Sequence, residues 1–212
     1  MIKVLVEQRS EAWYEARTGR ITGTRFKDLM AKPTTKAYQD LISDLVGEII
    51  TGEVEESYSN AIMERGVELE PEARNAYQEF KDVNVTEVGF IQMDENSEFS
   101  EWVGISPDGL IVEQTNVDEY KEVGMVEIKC PLRKTHLNYL IRGKLPAEYR
   151  HQVQGQLFVS GLPYCDFMSY YPNMKPFIVR VYPDKELHKE YEIELRKIIE
   201  LVKEKIKVYN KA

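Results

Sequence analysis

The 212-residue chain is poor in sulfur, glycine and long apolar runs. Its two cysteines, Cys130 and Cys165, share no metal-ligand spacing and cannot supply the four ligands of an iron–sulfur cluster, so a reducing compartment is expected. No apolar run approaches the roughly 18 residues that cross a bilayer. Residues 1–17 lack the basic, apolar and small-residue order of a secretory signal, which leaves a cytoplasmic location as the expectation. With 12 Gly and 9 Pro the chain is neither collagenous nor of low complexity. The three histidines, His136, His151 and His188, lack the spacing of a helical ligand pair and read as polar groups of surface or core.

What is present describes a folded domain: 42% hydrophobic, 30% charged and 10% aromatic residues. A chain this long buries roughly 70% of its unfolded surface without staples. One domain over 1–212 is expected, with a helical part to about residue 82, a sheet-bearing core over 83–182 and a closing helix over 185–208. The net charge of −8 argues against a polyanionic partner until it is divided. Residues 1–36 hold 8 basic and 4 acidic side chains, residues 37–128 hold 4 and 23, and residues 129–212 hold 16 and 9, for nets of +4, −19 and +7. An acidic middle between basic flanks is either an unevenly charged surface or a set of carboxylates for a metal with basic arms for a polyanion.

Local signals order the elements. Ser10 caps a short helix to Arg17 that buries Trp13 and ends at Gly19, and Thr22 caps another to Met30. Helical spacing continues over 37–51 and over 60–80, where Gly66 and Pro71 mark a break or re-start, with a polar loop at Glu53–Ser59 between. Short strands follow at Val83–Val88, Gly89–Met93, Val103–Ser106, Leu110–Glu113 and Met125–Lys129. Helices over Lys134–Arg142 and Pro146–Ser160, strands at Cys165–Tyr171 and Phe177–Tyr182, and an amphipathic helix over Lys185–Val208 complete the chain. The fold expected is α/β or α+β, a central sheet flanked by helices.

The chemistry concentrates in Ser106-Pro107-Asp108-Gly109-Leu110 and Val126-Glu127-Ile128-Lys129-Cys130-Pro131. Residues two apart on a strand share a face, so Glu127 and Lys129 project together while Ile128 points into the core. A turn built on Pro107 and Gly109 holds Asp108 at a strand end. Two carboxylates, a backbone carbonyl and an amine suit a Mg²⁺-like ion that keeps several waters. The bland alternative is a strand with an exposed Glu–Lys pair and a chance turn aspartate.

This pattern is the PD-(D/E)xK signature of metal-dependent nucleases. Six blocks in order make the resemblance narrower: residues 13–22, 65–74, 83–87, 106–110, 126–131 and 151–156. In these the sequence resembles the lambda-type exonucleases of phage recombination systems, the YqaJ-like viral recombinases. The resemblance implies a restriction-endonuclease-like core with a mixed sheet. It implies 5′→3′ digestion of double-stranded DNA ends to leave a 3′ overhang, two Mg²⁺ or Mn²⁺ ions, a homotrimeric ring and a single-strand annealing partner, in a bacterial host cell. It matches Asp108 and Glu127 to metal ligands, Ile128 to a carbonyl ligand, Lys129 to the catalytic lysine and Glu70 to a glutamate near the second ion. Gln152 matches a glutamine lining the site, Arg17 an arginine of a 5′-phosphate pocket, and Thr24 and Ser106 its hydroxyl partners.

The segment between Glu87 and Ser106 is longer than in the lambda protein, leaving Asp94 and Glu98 unassigned, and Thr34-Thr35-Lys36 lacks an arginine expected at a DNA-contacting tip. Some residues have simpler readings. Glu70 could be a first-turn glutamate before Pro71, and Arg17 a partner of a helix C-terminus. Gln156 reads as polar surface, Cys130 as a small buried thiol, and Trp13 and the aromatics from Tyr164 to Tyr171 as core. The basic stretch from Lys129 to Arg150 reads in part as a contact to a nucleic-acid backbone. The alternatives are an endonuclease of repair or restriction on the same core, or an end-binding accessory protein that has lost catalysis.

Overall fold

The computed structural model describes residues 1–54, 61–116 and 119–211. Its elements are β1 (Ile2–Val4), α1 (Glu11–Arg17), α2 (Phe26–Leu29), α3 (Lys36–Thr51), α4 (Ala61–Lys81), β2 (Asn84–Thr86), β3 (Phe90–Gln92), β4 (Gly104–Ile105), β5 (Gly109–Asn116), β6 (Glu119–Lys129), α5 (Arg133–Arg142), α6 (Arg150–Ser160), β7 (Cys165–Ser169), β8 (Phe177–Val181) and α7 (Lys185–Tyr209). Short 3-10 turns precede α2 and α6, at Gly23–Arg25 and Ala147–Tyr149.

Five strands form a mixed sheet in the order β2-β5-β6-β7-β8. Its one parallel pair, β6 with β7, is spanned by α5 and α6, and the other pairs are antiparallel. A smaller antiparallel sheet orders β1-β3-β4 beside it. The period-2 alternation of β6 divides the interior. Met125 joins the larger core with Phe167, Leu157 and the inward stripe of α7, Leu187, Tyr191, Leu195, Ile198 and Val202. Val126 and Ile128 join a smaller core on the opposite face with Ala73 and Tyr77 of α4 and Met168. The expected fold class holds, a central mixed sheet with helices on both faces.

Several local expectations change. Pro71 lies inside one uninterrupted helix, α4, where the break or re-start was expected. A proline removes a single i→i−4 bond, and α4 is held against the sheet beyond that point by buried Ala73, Arg74 and Tyr77. Glu70 is therefore a mid-helix residue and not a first-turn one. Thr22 does not cap a helix, because a 3-10 turn intervenes and its hydroxyl accepts from Arg17 instead. The strand at Met125–Lys129 is the end of a long hairpin that reaches to Glu119 and pairs with an eight-residue β5. The first strand, Ile2–Val4, went unread because three residues give too short an alternation. The expected loop at Glu53–Ser59 lies, from residue 55 onward, outside the described residues.

Two glycines permit the close approaches that shape the site. A Cβ at Gly109 would sit 2.2 Å from the Val85 side chain, so a bare α-carbon lets β2 close on β5 beside Asp108. A Cβ at Gly155 would sit 2.4 Å from the Phe26 ring, so α2 docks on α6 only because that position has no side chain.

Candidate active site

Register builds the site. Gly109 pairs with Val126, which sets Asp108 and Glu127 at the same end of the β5–β6 hairpin. Val126 faces the smaller core, so Glu127 and Lys129 take the opposite face, beneath α6. Glu127 is almost wholly buried, at 1% exposure, and a buried carboxylate requires donors. It has three: Lys129 Nζ and Gln152 Nε2 on Oε1, and Gln156 Nε2 on Oε2 at 2.6 Å. Gln152 and Gln156, one helical turn apart on α6, thus grip both oxygens. The expectation of polar surface for Gln156 fails, since it is 1% exposed and bonded to the central carboxylate.

Asp108 Oδ2 accepts the Ile128 N–H at 2.6 Å. The N–H and C=O of one strand residue point to the same edge, so the Ile128 carbonyl shares the Asp108 side. Burial, then the nearby Glu127 and Glu70 carboxylates, push the Asp108 carboxyl well above its ordinary range against the opposing pull of Lys129. For Lys129, burial works to lower the ammonium, but Glu127 and Asp108 outweigh it and the group is raised overall, so it stays charged. It also stands 5.5 Å from the centre of the Tyr149 ring.

Glu70 reaches the cleft from α4 and carries two guanidinium groups, Arg9 on Oε2 and Arg74 on Oε1, each at 2.9 Å. Arg74 is 9% exposed at its side chain; it also donates to the Asp108 carbonyl at 2.9 Å and pairs with Glu87 at 2.7 Å. Arg9 holds a left-handed backbone, φ +69°, a conformation that costs an ordinary L-residue roughly 1–2 kcal/mol.

A second cluster lies along the same cleft. The Trp13 indole N–H donates to the Gly89 carbonyl and to Ser106 Oγ, both at 2.9 Å. Arg17 stacks over that indole at 4.1 Å and donates to Ser106 Oγ at 3.2 Å. Trp13 is half-buried and lines the cleft; its N–H needs an acceptor and finds two at the wall, so the expectation of a core tryptophan fails. Among the described residues Arg17 hydrogen-bonds only neutral hydroxyls, those of Ser106 and Thr22. Burial, then the Arg25 charge, lowers it to about 10, which leaves it a cation at neutral pH.

All nine residues singled out from sequence line one cleft of about 540 Å³: Arg17, Thr24, Glu70, Ser106, Asp108, Glu127, Ile128, Lys129 and Gln152. Asp94 and Glu98 do not line it; the first accepts from Asn96 and the second pairs with Arg196. Cys130 is buried at the cleft wall, as expected. His136 is fully buried between Ser169 and the Lys175 carbonyl, a core polar group. Sequence reasoning missed Arg9, Arg74 and Tyr149; Arg9 and Tyr149 meet the site across a long stretch of chain, with no local spacing to signal it, whereas the i,i+4 spacing of Glu70 and Arg74 on α4 was a signal available in the sequence. Among the described residues, no three His, Cys, Asp or Glu side chains form a ready cage for an ion. The donor set still fits a hard cation that retains water: two carboxylates at one hairpin end, a carbonyl on the same edge, and a third carboxylate near enough to raise Asp108.

Known proteins share this architecture. The YqaJ-like viral recombinase domain matches residues 12–163, a span that contains all six sequence blocks. The alkaline exonuclease LHK-Exo from Laribacter hongkongensis is 33% identical, with a TM-score of 0.81 over 95% of this chain and 97% of that chain. Its complex with dAMP gives a TM-score of 0.82 at the same identity and coverage. A phage related exonuclease from Haemophilus somnus 129PT is 12% identical, with a TM-score of 0.61 over 90% of this chain and 96% of its own, a likeness of fold alone. No curated protein matches the chain. The PD-(D/E)xK-type architecture, the hairpin that pairs Asp108 with Glu127, and a family match over most of the chain agree: this chain belongs to the YqaJ-like viral recombinase domain family.

Proposed function

We propose that the chain is a divalent-metal-dependent exonuclease that digests double-stranded DNA in the 5′→3′ direction and leaves a 3′ overhang. The observation that carries this reading is one cleft lined by two chemically distinct clusters. One holds Asp108, Glu127 and Lys129, and the other a stacked arginine whose hydrogen-bond partners are neutral. Asp108, Glu127, the Ile128 carbonyl and Glu70 would hold Mg²⁺ or Mn²⁺. When bound, such ions stabilise the attacking and leaving oxygens of an in-line phosphoryl displacement.

The chain's own groups do the rest. Gln152 and Gln156 fix the Glu127 carboxylate, and Glu127 fixes the Lys129 ammonium, which faces charge developing on the scissile phosphate. Arg17 offers a planar fork to a terminal 5′-phosphate. Ser106 Oγ already accepts from Trp13 and Arg17, so its own hydrogen is left to donate to an incoming oxygen. Thr24, exposed on the same wall, supplies a second hydroxyl. The reading extends to a homotrimeric ring around the duplex and to a single-strand annealing protein that takes the overhang. Family membership supports both.

A digestion time course on linear duplex labelled separately at each end, with and without divalent cation, tests the reading. Loss of the 5′ label first, only with cation and not on closed circular duplex, is expected. Efficient cutting of the circle would establish an endonuclease instead. Arg17→Ala is expected to slow digestion of 5′-phosphorylated ends by about 10- to 100-fold, the worth of a hydrogen bond to a charged group, while 5′-hydroxyl ends change little. Equal loss on both substrates would remove the phosphate-pocket role.

A further inference from the structure

Arg9 lines the cleft without a role in that scheme. Among the described residues, Arg9 is the only non-glycine with a left-handed backbone that lines the cleft. Its neighbours hold the turn in place. Gln8 Nε2 donates to the carbonyls of Val88, at 2.9 Å, and Pro107, at 3.1 Å, while the Ser10 N–H and hydroxyl both return to the Glu7 carbonyl. The turn is therefore pinned to the Pro107–Asp108 corner, and its guanidinium crosses the cleft to Glu70. A strained backbone that a glycine would relieve, kept where the side chain reaches a candidate metal-side carboxylate, marks the side chain as the functional part.

The two arginines on Glu70 differ in kind. Arg74 is nearly enclosed and tied also to the Asp108 carbonyl and Glu87, which makes it a fixed anchor. Arg9 is 45% exposed at its side chain, and among the described residues it hydrogen-bonds Glu70 alone. An exposed ion pair is held weakly and is given up readily to a stronger competitor.

We propose that Arg9 is an exchangeable counter-ion of the cleft, neutralising Glu70 while the carboxylates hold no divalent cation and turning to a backbone phosphate of duplex DNA when Glu70 is taken by one. The inference rests on the nuclease reading. Its physical basis is charge: Glu70 already carries two guanidinium groups, and a doubly charged ion brought to the same carboxylate repels both and expels the more weakly held one. The pinned turn keeps the released guanidinium at the cleft, where its fork suits a phosphate.

The test is equilibrium binding of a short 5′-phosphorylated blunt duplex, followed by fluorescence anisotropy across a range of salt, in Ca²⁺ and in EDTA. Arg9→Gly accepts the left-handed backbone, so the fold is retained. In Ca²⁺ the variant is expected to bind about tenfold more weakly, with the log–log salt slope shallower by about one. In EDTA it is expected to match the parent. Glu70→Gln in EDTA should tighten binding when Arg9 is present and not when it is Gly. Equal loss in both conditions, or none in Ca²⁺, overturns the proposal while leaving the nuclease reading intact. A parent protein that neither binds nor digests the duplex end overturns the nuclease reading, and this inference with it.

Discussion

Lys129→Ala is expected to slow digestion of linear duplex by roughly 10²–10³-fold, the cost of removing one preorganised donor from a charge-stabilising site. The ammonium is held by Glu127 beside the Tyr149 ring, at the strand position the hairpin register dictates. Burial opposes its charge, but Glu127 and Asp108 sustain it, so in the metal-free protein it stands as a positive charge. The fold should survive, because Glu127 keeps two amide donors, Gln152 and Gln156. End binding should survive as well, because Arg17 stands in the other cluster of the cleft. Single-turnover digestion beside anisotropy on the same labelled duplex separates the two effects. Undiminished digestion would place the chemistry elsewhere.

Asp166→Ala carries the largest expected loss of stability, about 3 kcal/mol, the lower end for breaking a buried ion pair. Asp166 is fully buried and accepts two bonds from Arg180, at 2.8 and 2.9 Å, and one from the Tyr77 hydroxyl at 2.7 Å. Arg180 also stacks on Tyr164 at 3.6 Å. Its side chain is 37% exposed, so water can reach its charge after the carboxylate is gone, which argues for the lower end. The cluster ties α4 to β7 and β8 on the sheet face opposite Glu127 and Lys129. The folded fraction should therefore digest at the parent rate. Denaturant midpoints with an unchanged slope test the first statement, and activity per folded molecule the second. A loss below about 1 kcal/mol would mean that the network is not a brace.

The hairpin of the candidate site was legible in the sequence because everything it needs is local. Alternation puts Glu127 and Lys129 on one face, and Pro107 and Gly109 mark the turn beside Asp108. Gln152 needed the family resemblance, since helical spacing alone could not say which glutamine faces a carboxylate; both do. Arg9 was invisible for a related reason: it meets Glu70 only after the N-terminal turn and α4 dock, and an arginine before a serine carries no mark of that contact. Arg74 pairs with Glu70 one turn along α4, a spacing the sequence does carry, but its bond to the Asp108 carbonyl forms only when α4 packs on the sheet. Pro71 misled because it reports one missing hydrogen bond, while the fate of α4 was set by what it packs against. Trp13 misled because its size suggests the core, whereas its N–H demanded an acceptor at the cleft wall.

The β5–β6 hairpin also changes how the interval between the two carboxylates should be understood. Asp108 and Glu127 meet because Gly109 pairs with Val126, whereas the residues that set their separation along the chain lie toward the far tip, at Asn116 and Glu119. The interval is thus a record of how long a ribbon happens to be, and chemistry places no constraint on it. A longer or shorter tip would leave both carboxylates where they stand. A one-residue slip within the paired strands would instead turn Ile128 toward α6 and bury Glu127 against α4. Kinship among such enzymes is better measured by which residues face each other across the ribbon than by how many separate them.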